Sequence, residues 1–270
     1  METDDEMLIS SFSTSSFGVG RLKWRTHTAI AEAIAEALGL DRRLRRALSS
    51  GSIDPDRYPD VTVRVGRRGR TYVARAPHHN PGLRLIMKHV WKARKSYLKG
   101  DDFEALRSLG RALHYLQDMS VSKGILGLSH DSKEDEVASL SVPVKVVEES
   151  LSSAFCSPHY VEETIKHVRP QKDAEKALEE ACRASGSIVG AVLGRKNPPE
   201  GLVEEFTQAR RRYWRRTIPV AATASLLFLM LALATCNTAA ALGAASGYVI
   251  QLLDRKYHYL RKEVEWYSVG

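Results

Sequence analysis

Apolar residues recur at helical spacing along most of the chain. Thr26 to Leu38 carries Ile30, Ala33, Ile34 and Ala37 on one face, and Gly39 ends the run. Leu83 to Leu98 presents Ile86, Val90, Ala93 and Tyr97 in the same way. Asp101 to Gln117 follows, with Asp101 and Glu104 at capping-box-like spacing. Asp131 to Glu149 begins as a helix that Pro143 breaks or restarts. Val161 to Val168, Gln171 to Leu193 and Glu200 to Arg216 read as further helices, the last set off by Pro198-Pro199. One stretch changes period. Val61 to Arg75 alternates as VTVRV, then Gly-Arg-Arg-Gly, then TYVARA, which predicts a β-hairpin with arginines on its turn and exposed face. GSIDPDRYPD, residues 51–60, reads as a loop. The pattern predicts an all-α helical bundle with a small β-hairpin insertion.

The C-terminal third departs from this amphipathic pattern. Thr217 to Leu253 is a run of 37 residues without Asp, Glu, Lys, Arg or His. One straight helix of that length would run about 55 Å, against a hydrocarbon core of about 30 Å. Two limbs fit better, Ile218 to Cys236 and Ala239 to Leu253, turning at Asn237-Thr238. The second limb holds Gly243-x-x-x-Gly247, a spacing that lets helix backbones approach closely in lipid. Arg210, Arg211, Arg212, Arg215 and Arg216 precede the run; Arg255, Lys256, Arg261 and Lys262 follow it. Positive charge at both ends predicts a membrane hairpin, with the N-terminal domain and the C-terminal tail on the cytoplasmic side. The competing reading, a buried hairpin in a soluble core, has no need of basic flanks. Three segments are therefore expected: a flexible lead over 1–22, a metal-binding helical domain over 23–209, and a membrane hairpin with basic flanks over 210–270.

Composition narrows the function classes. A length of 270 residues allows one or two domains, and 43% hydrophobic with 27% charged residues is globular rather than disordered. Three cysteines with no CxxC spacing argue against a disulfide framework or a cysteine zinc site. The acidic opening, Met1 to Glu6, argues against a secretory signal. A net charge of +8 admits nucleic acid or anionic lipid as partners. No P-loop, strand-borne GxGxxG or GxSxG elbow is present.

Nine histidines are the richer resource. In LGRALHYLQDMS, residues 109–120, His114 and Asp118 lie four apart and leave one helix face, beside apolar Leu109, Leu113 and Leu116. Imidazole beside carboxylate is a common metal-binding pair. Alone, the pair also reads as an ion-paired core histidine. His130 and Glu134 repeat the same spacing, His27 opens the first long helix, and His78-His79 follows the β-hairpin. Asp54 and Asp56 lie in the Pro-punctuated stretch. Such groups on helix starts and loops can converge at one end of a bundle. Arg64, Arg67, Arg68 and Arg70 read equally as a solvated hairpin or as a phosphate contact.

The run SYLKGDDFEALRSLGRALHYLQD resembles the zinc-dependent phospholipase C / P1 nuclease family. So do Trp24 followed by His27, Gly51 to Asp56, His78-His79, and His130 to Glu134. The resemblance spans about residues 24–165. It implies an all-α bundle holding zinc and hydrolysing phosphate esters. By position it makes His27, His114, Asp118, Asp56, one of His78 and His79, and His130 with Glu134 metal ligands, Asp118 bridging two ions. Asp56, or Asp54 as the near alternative, would orient or deprotonate the attacking water. The chain departs from the family pattern twice: Gly124 stands where the family has a histidine, and Trp24 is internal, so its amine is not available. The resemblance therefore implies one or two zinc ions here, rather than the family's three. The expected substrate is a phospholipid or other phosphodiester at the membrane surface. Alternatives are a nuclease of the same chemistry, acting on nucleic acid, and a non-catalytic tethered protein with a structural or decayed metal site.

Overall fold

The computed structural model describes residues 17–66, 69–76, 81–121, 136–235, 243 and 245–269. The expectations placed on the lead before Phe17, the hairpin turn arginines Arg67 and Arg68, His78, His79, Gly124, His130, Glu134 and the turn at Asn237-Thr238 lie outside them. Among the described residues 75% are helical, so the all-α class holds. It divides into two compact units, Met1–Phe155 with Tyr160–Leu193, and Cys156–His159 with Gly194–Gly270. The division falls earlier than position 210 because the helix before the apolar run packs with the C-terminal tail.

In the first unit the helices are α1 (Phe17–Ala37), α2 (Arg42–Arg57), α3 (Gly82–Leu98), α4 (Asp102–Ser120), α5 (Val144–Ser152), α6 (Pro158–His167, whose first two residues belong to the second unit) and α7 (Ala174–Val192). Asp41, Asp101 and Asp173 cap α2, α4 and α7, each accepting a hydrogen bond from the backbone three residues on. The central helix is α4, packed against α1, α2, α3 and α7. Its Leu106, Leu109, Leu113 and Leu116 are buried with Ile30 and Ile34 of α1, Leu48 of α2 and Ile86 of α3. Each such leucine contributes about 2 kcal/mol. Together they outweigh the cost of burying a few hydrogen-bonded polar groups, about 1–3 kcal/mol for each if left unpaired.

Two features correct the sequence reading. First, the loop expected over 51–60 is helix to Arg57: α2 runs straight through Pro55. The segment stays helical because it lies against α4 at backbone distance. A Cβ on Gly51 would collide with the carbonyl of Arg107, and one on Gly110 with the carbonyl of Leu48 and the amide of Ser52. Second, strands β1 (Val61–Val65) and β2 (Thr71–Arg75) do pair antiparallel, Val63 opposite Val73. However, the exposed face expected to carry arginine also carries Val61, Val63, Val65 and Val73, beside Arg75. The lead is also shorter than expected, since α1 starts at Phe17.

The second unit contains α8 (Leu202–Arg212), a π-helical turn (Tyr213–Thr217), α9 (Ile218–Thr235), α10 (Ser246–Leu253) and α11 (Arg255–Trp266). The continuous run Leu202–Thr235 includes an 18-residue window of mean hydropathy 2.1 of which 6% is buried. By length and composition it can cross a membrane. Of the second limb, α10 is eight residues, about 12 Å of helix. It packs on α9 through Gly247, which sits on Ala221 and Ser225; Gly243, ahead of α10, meets the ring of Phe228.

Candidate metal centre

Three helices bring their donors together at one end of the first unit. His27 comes from α1, Asp56 from the last turn of α2, and His114 and Asp118 from α4. His27 Nε2 lies 3.2 Å from Asp118 Oδ1, and His114 Nε2 lies 3.4 Å from Asp118 Oδ2. His114 Nε2 is also 3.7 Å from Asp56 Oδ1. The two imidazole rings are 4.3 Å apart between centroids. One ligand atom from each of His27, His114 and Asp118 lies within 4.8 Å of the others. Ligands of a tetrahedral ion at about 2.0–2.1 Å are about 3.4 Å apart, so a small closing movement suffices. His27 and Asp118 open on a cleft of about 30 Å³ lined by Thr26, Ile30, Gln117, Val121, Val137 and Ala181 among others. That is room for a water or an ion.

The opposite edge of each ring fixes its orientation. His27 Nδ1 donates to Gln117 Oε1 at 2.6 Å, and the Gln117 amide nitrogen donates to Ser185 Oγ at 3.1 Å. His114 Nδ1 donates to the carbonyl of Ser52 at 2.8 Å. With Nδ1 protonated in both rings, the neutral imidazoles carry their lone pairs on Nε2, toward Asp118. Partners of this kind fix the tautomer of a metal-binding histidine. The Ser52 carbonyl comes within reach of His114 because Gly51 and Gly110 let α2 and α4 touch. Asp56 Oδ2 accepts from Trp24 Nε1 at 2.8 Å, and the guanidinium of Arg57 covers the indole 4.7 Å above its ring.

The two histidines titrate oppositely. Burial pulls His27 down, but the hydrogen bond and charge of Asp118, the Gln117 bond and the charge of Asp56 reverse this, leaving it raised to about 8. Burial dominates at His114, and the neighbouring His27 charge adds to it; its pKa falls to about 4. The pair thus holds one proton near neutrality, on His27 between its Nε2 and Asp118. A divalent cation can take the place of that proton.

Asp54 is not part of this group. Its Oδ2 accepts from Arg107 Nε at 2.9 Å, with Arg111 Nη1 at 3.7 Å. In a helix, residues two apart leave about 200° around the axis, so the helical course of α2 sends Asp54 and Asp56 to different places. Asp54 faces a second polar cluster that spacing alone did not suggest. There Asp60 Oδ2 accepts from His89 Nε2 at 2.9 Å, Arg111 Nη2 at 2.8 Å and Tyr115 Oη at 3.1 Å. Burial opposes the charge on Asp60, but the His89 and Arg111 bonds hold its pKa well below the usual carboxylate range. Gln117, Ser52 and the indole of Trp24 are the other residues of the centre that the sequence did not assign; the first stands inside the LHYLQD run itself.

Compared with known proteins, the chain matches no family model, no curated protein and no solved structure.

Proposed function

We propose that the protein is a metal-dependent phosphoesterase, of the phospholipase C kind, acting on a phospholipid or related phosphodiester at a membrane surface. The observation that carries this reading is the convergence of His27, His114 and Asp118, with Asp56 beside them, around donors whose lone pairs share one direction. Two imidazoles and a carboxylate suit zinc better than calcium or magnesium, which favour oxygen ligands. Bound there, a zinc ion polarises a phosphoryl oxygen and lowers the pKa of water toward neutrality. His27, His114 and Asp118 hold the cation. Gln117 and the Ser52 carbonyl keep the rings aimed. Asp56, at the exposed rim and steadied by Trp24, is the group placed to orient water and take up its proton. The apolar run in the same chain ties this chemistry to lipid, its two basic flanks on the cytoplasmic side. The sequence resemblance supports the reading over residues 24–165. A nucleic-acid substrate is the weaker reading, since apart from the His27 imidazole the described residues of the cleft include no aromatic ring on which a base could stack.

The test is Asp118→Asn in the full chain, with metal content and turnover measured together. Wild-type protein should retain zinc through purification without added metal and should hydrolyse a short-chain phospholipid faster than single-stranded DNA. The variant should lose both the metal and the activity. Turnover that survives in a metal-free variant defeats the proposal, and faster cleavage of DNA turns it toward a nuclease.

A further inference from the structure

Two limbs of the second unit change from polar to apolar at one level. On the first, Arg216 is followed by Thr217 and α9. On the second, Asp254 separates Leu253 from Arg255. Asp254 ties the levels together. Its Oδ1 accepts from Arg212 Nη2 at 3.0 Å and from the Tyr257 amide at 3.3 Å, and its Oδ2 accepts from Thr217 Oγ1 at 3.0 Å. Tyr213 stacks on Tyr257 with centroids 4.0 Å apart, and its hydroxyl donates to Gln251 Oε1 at 3.4 Å. Gly247 against Ala221 and Ser225 closes the limbs on the apolar side. The boundary is therefore built, and does not depend on where two independent helices happen to end.

Five arginines surround it: Arg210, Arg211, Arg215, Arg216 and Arg255. All are exposed, and none has a carboxylate partner among the described residues. Neighbouring acids are engaged elsewhere, Asp254 with Arg212, Glu205 with Lys256, and Glu265 with Arg261. The π-turn has more residues per turn than an α-helix, which gathers the first four arginines onto about half of the helix circumference. Trp214 stands among them, 58% exposed, as an amphipathic ring does at a headgroup layer.

A guanidinium without a carboxylate finds its best match in a phosphate, which it can bind by two parallel hydrogen bonds. At the edge of an apolar band, the phosphates within reach are those of lipid headgroups. Five unmatched positive charges favour headgroups with net negative charge over zwitterionic ones. We propose that this arginine collar binds the phosphates of anionic phospholipids and concentrates such lipids around the protein. The inference rests on the membrane-crossing part of the function proposed above and is independent of the metal centre.

The test uses the full chain in bilayer discs and in mixed micelles of phosphatidylcholine with a minority of phosphatidylglycerol, followed by quantification of the lipids that remain bound. Phosphatidylglycerol should be enriched roughly threefold or more over the supplied ratio at low salt, and less so at high salt. Replacing the five arginines together by Gln should return the ratio to the supplied one. Replacing them by Lys should keep most of the enrichment, and Asp118→Asn should keep all of it. Circular dichroism checks that each variant is folded. Wild-type protein carrying lipids at the supplied ratio overturns the proposal, as does undiminished enrichment in a folded Gln variant. Single-stranded DNA that binds the protein in pure phosphatidylcholine discs, and is released by the Gln variant, reassigns the collar to nucleic acid and also overturns it. Failure to enter discs at all defeats the membrane crossing; entry without enrichment defeats the collar alone.

Discussion

Helix α4 carries two polar clusters one after the other along its length, and each sets histidine against aspartate. In one, His114 and Asp118 meet His27 and Asp56. In the other, Arg107, Arg111 and Tyr115 meet Asp54, Asp60 and His89. The difference lies in the cation that answers the carboxylate. A guanidinium stays protonated at any pH a protein survives. The Asp60 cluster is therefore a permanent strut that ties the end of α2 and the middle of α3 to α4. An imidazolium can give up its proton, and the Asp118 cluster can exchange that proton for another cation. Similar residues, a helix turn apart, make a brace in one place and an exchangeable site in the other.

Asparagine at each aspartate separates the two most widely. Asp118→Asn should lower zinc affinity well beyond the roughly 10–100-fold that an outer partner of a metal ligand is worth, with the fold kept. Asp60→Asn should do the reverse. It strands Arg111 and His89 and should cost roughly 2–3 kcal/mol in chemical denaturation, while zinc stoichiometry stays unchanged. If Asp60→Asn also releases the metal, the clusters are one functional unit and the distinction fails.

A finer probe is Gln117→Leu, which keeps the volume near His27 but removes the acceptor for its Nδ1 proton. Zinc affinity should fall about 10–100-fold, as for other outer-shell partners of a ligating histidine. An unchanged affinity, measured by competition with a chelating dye, would make Gln117 a packing residue only.

The smallest effect is in pH. In metal-free protein, His27 is raised to about 8, so its stabilising contribution is complete below about pH 6.5 and is lost as pH rises to 8. His114 is lowered to about 4, so stability is lost as pH falls from about 6.5 toward 4. The thermal midpoint should therefore peak near pH 6.5, with a total change on the alkaline side of about 2 kcal/mol. Asp60 has a lowered pKa; its contribution is complete above about pH 4 and is lost only in stronger acid. Bound zinc should remove the alkaline decline, because the metal takes the deprotonated ring. A flat profile between pH 5 and 8 in the metal-free protein would show that the two histidines do not share a proton.

What the sequence revealed follows the reach of each kind of signal. Periodicity runs within one helix, so α1, α3, α4 and the pairing of His114 with Asp118 were legible. The apolar run was legible from composition, and its glycines from their spacing. Asp54 was misplaced because Pro55 suggested a loop, and only the helical course of α2 shows that Asp54 and Asp56 diverge. The Asp60 network was out of reach, since its partners stand 29 to 55 positions away along the chain. Gln117 was in plain view, yet its role depends on where α1 and α7 lie.

The contact between the Ser52 carbonyl and His114 has a practical consequence. Its acceptor is main chain, which every amino acid possesses, so substituting residue 52 leaves it in place. A survey that trims side chains to alanine around the centre would score Ser52 as dispensable and miss half of what steadies the imidazole. The information for that contact is stored at positions lacking a side chain, Gly51 and Gly110, and it is there that added bulk would be felt at the metal.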